Sequence, residues 1–434
     1  MVAIVVAVSL AIATGLYVRS LLTHADQYLP SIETYLQKKT GMPVAIRHMD
    51  VGLFPSVTLR FYHTEIRNPQ PFPAGDFLQA PQIVVTLATW KLLHKKIMVK
   101  SLVLEHPVFN FISDPDGLWN FQNPGSSQQS LLPSTDGTIS KIQMKDGQLL
   151  GSALIEPHDL PGPILLHVQN FNAQFGKIDL HASANSASSR PIRGKMQSNE
   201  AVFGKIHLRN VRCGLEILPT QFTFKDFSAK TYRGQAHGDF IFNFAQKQTK
   251  FDTHLRISGV GVAYVLSEFE NGPPKMTGMM EAKMHLNGVV EYTANPLAGI
   301  QGTGQVVIRD GAFPSLKNSG DMRQMMRFRE SSAAKLPPSA FSSFSGDMNL
   351  NSHRIESKRI VMDFYGIGVR GGGNVNEVTG GLNYRGTAII EKKPGFVVTS
   401  FARLFKGGHM KDGHLTFPIQ ISGTLSNPKC SIAE

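Results

Sequence analysis

A mostly β fold is predicted by three observations. The chain holds 40 glycines in 434 residues. Short runs of Val, Ile, Phe and Thr alternate with polar residues in period two, and proline or glycine separates one run from the next. The expected architecture is an N-terminal transmembrane helix followed by an elongated, curled antiparallel β-sheet, groove-like, with a few short amphipathic helices.

The membrane segment comes first. From Val2 to Val18 no residue is charged, and at about 1.5 Å per residue the run approaches the roughly 30 Å of a bilayer core. Ile4, Val5, Val8, Leu10, Ile12 and Leu16 are its apolar anchors. A cleaved secretory signal is the competing reading, but Leu16-Tyr17-Val18-Arg19 is too bulky for a small-residue cleavage site. No Lys or Arg precedes the span and Arg19 follows it, which by charge alone puts the basic flank inside.

The stretch YLPSIETYLQKKTG then places Leu29, Ile32, Tyr35 and Leu36 on one helical face, with Pro30 near its start and Gly41 just past its end. From Met42 the period becomes two, so Val57, Leu59 and Phe61 share one side of a strand. The polar linker NPGSSQQSLLPSTDG closes this unit near Gly137. Further on, DFIFNF puts Phe240, Phe242 and Phe244 on one sheet face, with Ile241 and Asn243 on the other. Three segments carry a basic residue followed by Asp-Gly, at Lys145, Arg309 and Lys411. They read as hairpin corners, because Asp-Gly supplies the positive φ of a type I′ turn. Helical interruptions are expected at VAYVLSEF (Val262, Val265, Leu266, Phe269), at PGFVVTSFARLF (Val397, Phe401, Leu404, Phe405) and at DMRQMMRF. The resulting division is an anchor at 1–18, an N-terminal region at 19–137, a middle β region at 138–315, a helical, proline-rich insertion at 316–340 and a C-terminal β region at 341–434.

Several chemistries find little support. GIGVRG, Gly366 to Gly371, matches a dinucleotide fingerprint by letter, but GGNVNEVTGGLNYRGTAII after it reads as strands, whereas the pyrophosphate needs a helix N-terminus. Asp-Pro-Asp-Gly at Asp114 lacks the further oxygen ligands and the flanking helices of a calcium loop. It reads as a hairpin corner, with Trp119 anchoring a sheet face or groove mouth. His409 and His414 lack a third ligand at metal spacing. No GxSxG, HExxH, Walker or paired-carboxylate arrangement appears, and the 15 histidines are scattered. The expectation is therefore no enzyme, no cofactor and no metal site. The two cysteines, Cys213 and Cys430, read as free buried thiols, a disulfide being the alternative. A formal charge of +12 implies an anionic partner, either nucleic acid or acidic lipid. Lys91, Lys95, Lys96 and Lys100 lack a nucleic-acid-binding context, so a membrane-proximal basic face is the preferred reading.

The order of anchor, SIETYLQKKTGMPVAI, VGLFPSVTLRFYHTEIRNPQPF, FLQAPQIVVTLATWKLL and KIMVKSLVLEHPVFNFISDPDGLWNF resembles the N-terminal region of the AsmA family of bacterial envelope proteins. FSSFSGDMNLNSHRIESKRIVMDFYGIGVRGGGNVN and FPIQISGTLSNP resemble its C-terminal region. The resemblance implies a single-pass protein of the bacterial inner membrane with its body in the periplasm, against the charge bias of Arg19. It further implies kinship with TamB-like and bridge-like lipid-transfer proteins, phospholipid as partner and a role in outer-membrane biogenesis. Envelope-protein partners and an oligomer are compatible with it. Phe240, Phe242, Phe244, Val57, Leu59 and Phe61 become candidates for a lipid-holding groove. The alternative is a non-enzymatic assembly or adaptor protein for outer-membrane proteins, without lipid transport.

Overall fold

The computed structural model describes residues 25–53, 56–88, 99–122, 138–155, 160–179, 191–245, 248–269, 272–290, 299–314, 323, 329–351, 354–376, 380–390, 408–412, 414–424 and 428–432. The predicted anchor Val2–Val18, the helices expected at PGFVVTSFARLF and DMRQMMRF (but for Arg323), and Lys91, Lys95 and Lys96 lie outside these. Among the described residues no helix is long and apolar enough to cross a membrane. They are mostly strand, and they form two compact units. One comprises residues up to Gly204 with Arg209–Lys225 and Asn243–Thr249. The other comprises Lys205–Leu208, Asp226–Phe242 and the chain from Lys250 onward.

The first unit opens with a 3-10 turn, Ala25–Tyr28, and α1, Leu29–Thr40. Pro30 sits in the first helical turn, where no backbone N–H is needed. Gly41 ends the helix in the left-handed region at φ 72°, its N–H donating to Gln37 O at 2.8 Å. Leu29, Ile32 and Leu36 pack on Val44, Ile46, Met49, Val51, Phe61 and Ile66. Tyr35, expected on this face, is 50% exposed. At 100° per residue it stands about a quarter turn away from the Leu29–Leu36 stripe.

The strands of this unit are β1 (Val44–Gly52), β2 (Thr58–Arg67), β3 (Asp76–Leu87), β4 (Val99–Glu105), β5 (Val108–Ser113), β6 (Thr138–Ile139), β7 (Ile142–Ile155), β8 (Leu160–Phe175), β9 (Ile178–Asp179) and β10 (Ile192–Phe203). β1, β2 and β3 pair antiparallel in sequence order, as do β3 with β4 and β5, and β7 with β8 and β10 with β8. Among the described residues the wholly antiparallel expectation fails where β4 pairs parallel with β6 and β7, and β5 with β7. β4 and β5 are one strand interrupted at His106-Pro107. The chain leaves it through the Asp114 corner and returns to run alongside, a crossover that a hairpin cannot supply.

A line of left-handed residues crosses these strands. His63 in β2, His106, Asp146 in β7 and Asn170 in β8 have φ of 50°, 49°, 49° and 49°. Register places the first three side by side, since Tyr62 pairs with Gln82, Gln82 with Glu105, and Glu105 with Lys145. Histidine, asparagine and aspartate are the side chains that best tolerate this conformation. Each shifts the in-out alternation by one residue. Leu59 and Phe61 therefore share a face with Thr64 and Ile66, as the packing of both Phe61 and Ile66 under α1 requires. Two of the three Asp-Gly corners expected from sequence are such strand interruptions. Asp146 and Asp310 (φ 50°) lie inside strands, and only Asp412 turns a hairpin corner.

β11 (Ile206–Leu218) and β12 (Gln221–Thr231) contribute residues to both units. The second unit continues with β13 (Gly234–Asn243), β14 (Lys250–Gly261), α2 (Val262–Phe269), β15 (Thr277–Val289), β16 (Ile300–Ala312), β17 (Ala340–Asn351), β18 (Arg354–Asp363), β19 (Ile367–Asn376), β20 (Leu382–Ile390), β21 (His409–Lys411), β22 (His414–Gly423) and β23 (Pro428–Ile432). From β14 to β20 each strand pairs antiparallel with the next, and β22 joins β20, β21 and β23. α2 lays Val262 and Leu266 on the core of this unit, as its spacing predicts. GIGVRG turns at Gly366 (φ 93°) and runs on as β19 into β20, so strand follows strand where the dinucleotide fingerprint needs a helix.

Candidate functional site on the apolar sheet face

In the second unit register lines up rows of side chains across the strands, and every second row is apolar. The first is Val260, Met280, Ile308, Phe344, Met362, Val369, Ala388 and Phe417. It belongs to a closed core in which Phe341, Ile367, Ala388, Leu415 and Phe417 are fully buried. The Phe341 ring lies 5.1 Å from that of Phe313 and 6.3 Å from that of Phe364. Two residues along each strand, three in β14 where the register shifts, come Ile257, Ala282, Val306, Gly346, Ile360, Gly371, Gly386 and Ile419. Leu255, Met284, Gly304 and Met348 follow. The last row is Thr253, Leu286, Gly302, Leu350, Ile355, Val375 and Leu382. Burial falls along this series. Leu286, Leu350, Ile355, Val375 and Leu382 are only half-buried. The intervening rows are polar, for example Arg256, Lys283, Gln305 and Asp347, all exposed.

Glycine concentrates on the apolar face. A Cβ at Gly371 would stand 2.3 Å from Arg385 O, and one at Gly373 2.1 Å from Asn383 O. Neighbouring backbone approaches too closely there for any side chain, which is how glycine permits a close approach of strands and a bend in a sheet. Leu255, Met284, Gly304 and Met348 help to line an open cavity of about 1110 Å³, together with His254, His285 and others on the flanking rows. Tyr384 packs against the closed core, and burial holds its hydroxyl above its ordinary pKa.

The first unit carries a comparable face. Leu59, Val85, Leu102, Ile142 and Phe175 form one row; Met49, Phe61, Ile83, Leu104, Met144, Ala173 and Met196 form the next. Of the sequence candidates, Leu59 and Phe61 lie in these rows and Val57 is half-buried. Phe61 packs with α1's contact cluster. Phe240 and Phe242 are half-buried in β13, Phe240 meeting the Phe227 ring edge-on at 5.1 Å. Phe244 falls past the end of β13 and is buried in the first unit. Its ring stands 4.9 Å from that of Phe222 and 5.6 Å from that of Phe121.

The Asp114 corner feeds this aromatic cluster. Asp114 O accepts from Gly117 N at 3.0 Å, its carboxylate from Leu118 N at 2.7 Å, and Gly117 has φ 83°. It is a tight corner, as expected. Trp119 stacks on Phe121 and donates its indole N–H to Thr249 Oγ1 at 2.8 Å. Asn120, fully buried, accepts from Ile112 N at 3.1 Å and donates to Asn110 O at 2.8 Å and Asn68 Oδ1 at 2.9 Å. No periodicity marks Asn120, because an asparagine in a turn-rich stretch reads as surface. Cys213 is a buried free thiol, pushed up to about 12 by desolvation. His409 and His414 stand on the two strands of the β21–β22 hairpin, His414 Nδ1 3.3 Å from Ile390 O.

The AsmA family model matches residues 1–189. Over that span the chain is similar to the AsmA family. The match takes in all of β1 to β9, and with them the line of left-handed residues. No curated protein matches the chain. AsmA proteins are not known as a family of enzymes.

Proposed function

We propose that this protein belongs to the AsmA family, is held in the bacterial inner membrane by Val2–Val18, carries its body in the periplasm, and binds phospholipid acyl chains on its apolar sheet face. In doing so it supports outer-membrane biogenesis by moving phospholipid between membranes, and it performs no chemical reaction. The observation that carries the reading is the graded face of the second unit: half-buried Leu286, Leu350, Ile355, Val375 and Leu382 continue a closed core, and Gly302, Gly304 and Gly373 on the same face add no side chains to cover them. Each acyl CH₂ taken from water onto such a surface contributes about 0.8 kcal/mol. An apolar face also costs free energy while it stays wet, so an occupant is favoured.

The test is purification of the full chain in mild detergent followed by mass spectrometry for bound phospholipid, on wild type and on Phe242→Asp. The expected result is about one or more phospholipids per chain in the wild type and fewer in a folded, protease-resistant variant. Absence of lipid from the wild type, with outer-membrane protein recovered in its place, overturns the reading in favour of an assembly adaptor. An insoluble variant shows Phe242 to be core and removes that residue from the site. A reporter fused after Glu434 that is active only in the cytoplasm refutes the orientation.

A further inference from the structure

Three potential metal ligands meet on the polar side of β14 and β15. Asp252 and His254 are two residues apart in β14, so their side chains share a face. His285 pairs directly with His254 across the ladder. His285 Nε2 lies 2.9 Å from Asp252 Oδ2, and His254 Nδ1 lies 3.8 Å from Asp252 Oδ1. The two imidazoles stack at 4.1 Å with 12° between their planes. One ligand atom from each of the three residues falls within 4.8 Å of the others.

We propose that Asp252, His254 and His285 form a binding site for a divalent transition metal of the zinc type. Zinc takes nitrogen and oxygen ligands at about 2.0–2.2 Å, which in a tetrahedron sets them about 3.3–3.5 Å apart. His285 meets Asp252 Oδ2 at 2.9 Å and His254 meets Asp252 Oδ1 at 3.8 Å, and one ligand atom from each residue lies within 4.8 Å of the others, so side-chain rotation that unstacks the imidazoles is needed to reach that range. The side chains are 41% (Asp252), 68% (His254) and 45% (His285) exposed, so there is room for that rotation and an ion has free entry. Two imidazoles with one carboxylate suit zinc, cobalt or nickel over calcium or magnesium, which prefer all-oxygen shells. Three protein ligands leave a fourth position for an exchangeable water or anion. Arg256 and Lys283, which pair with each other on the adjacent row of the same face, favour an anion there and temper the affinity for the cation. The competing role is structural, with the His285–Asp252 hydrogen bond merely tying β15 to β14.

The experiment titrates zinc chloride into the full-length, chelator-stripped protein in detergent, followed by calorimetry, and repeats the titration with cobalt(II) read by visible absorption. Wild type is expected to bind one equivalent of zinc and to give cobalt bands of tetrahedral intensity. His254→Ala, His285→Ala and Asp252→Asn should each weaken zinc binding by roughly tenfold or more, with unchanged circular dichroism. His237→Ala, nearby but outside the triad, should bind as wild type. No zinc uptake by wild type overturns the proposal, as do triad variants that bind zinc as tightly as wild type. A histidine variant that misfolds is replaced by His254→Gln or His285→Gln, read by the same titration. This outcome is independent of whether lipid is bound.

Discussion

The two ends of the apolar face in the second unit are built from the same strands and the same alternation, yet one is a closed core and the other is not. At the closed end Phe341, Phe417 and Leu415 are fully buried beneath Phe313, Phe364 and α2. A few residues along the same strands, Leu350, Ile355 and Val375 are half-buried, and the row between holds Gly304 and Gly373. Alternation alone therefore specifies which face a residue joins. What that face touches depends on the elements laid over it and on where glycine withholds side chains. The same distinction separates a protein that fills its own groove from one that leaves room for an occupant.

The largest expected effect tests the closed end. Phe341→Ala removes a fully buried ring whose neighbours are fixed by β16, β17 and β18, so a cavity remains, and the cost is about 3–5 kcal/mol. Thermal denaturation should show the second unit melting well below the wild-type midpoint. A shift of only a degree or two would mean that this end is loosely packed, and the contrast between the ends would lose its basis.

Next comes the glycine row between them. A Cβ at Gly371 would sit 2.3 Å from Arg385 O, which is backbone and cannot step aside without opening the β19–β20 ladder. Gly371→Ala should therefore cost about 1–3 kcal/mol, in the range of overpacking. Gly346→Ala, whose nearest contact is Ser357 Oγ at 3.4 Å, should cost much less. Equal effects at the two positions would show that curvature is not what these glycines supply.

At the open end, Leu350→Asp should cost less than either, because a half-buried side chain can leave its carboxylate in water. Its stability should stay within about 1 kcal/mol of wild type, while co-purified phospholipid falls. A loss as large as that of Phe341→Ala would mean that the face is closed along its whole length.

Much of this was legible in the sequence and some was not, for reasons that individual residues make plain. The β class, α1, α2 and the Asp114 corner follow from local chemistry: Pro30 and Gly41 bracket a helix, and Gly117 supplies a positive φ. Asp146 and Asp310 misled because the same left-handed conformation serves a hairpin corner and an interruption inside a strand. Only pairing on both sides of the strand tells the two apart. Phe240, Phe242 and Phe244 share a period, but β13 ends at Asn243 and Phe244 enters another cluster. Asp252 and His254 could be paired by spacing alone, whereas His285 reaches them only through the β14–β15 register.

The smallest effect concerns the cover in the first unit, α1, which closes one edge of an apolar face much as α2 does in the second. Its approach is fastened by polar groups on the surface. Asp26 accepts from Met49 N at 2.8 Å and meets His48 Nδ1 at 2.8 Å, while His48 Nε2 faces Asp50 at 3.0 Å. The Met49 N–H and then His48 hold the Asp26 carboxyl below its ordinary pKa, and the bond to Asp26 holds the His48 imidazole above its own. The signs follow by linkage. A depressed carboxyl stabilises above its unfolded pKa, and that contribution is lost as pH falls through the folded value. A raised imidazole stabilises below its unfolded pKa, near 6.5, and that contribution is lost as pH rises through the folded value. The fastening should thus be strongest between the carboxylate and imidazole ranges and weaken on either side. Both side chains are about half exposed, so solvent screens the pair and the effect is small. Hydrogen exchange of the amides of α1 and β1, compared at pH 5.5 and pH 8, should show slightly faster opening at pH 8 after correction for intrinsic exchange. Asp26→Asn should remove that difference. An unchanged difference in the variant would mean that α1 is held by Leu29, Ile32 and Leu36 alone, and that apolar packing, not surface charge, decides whether an end of either face is covered.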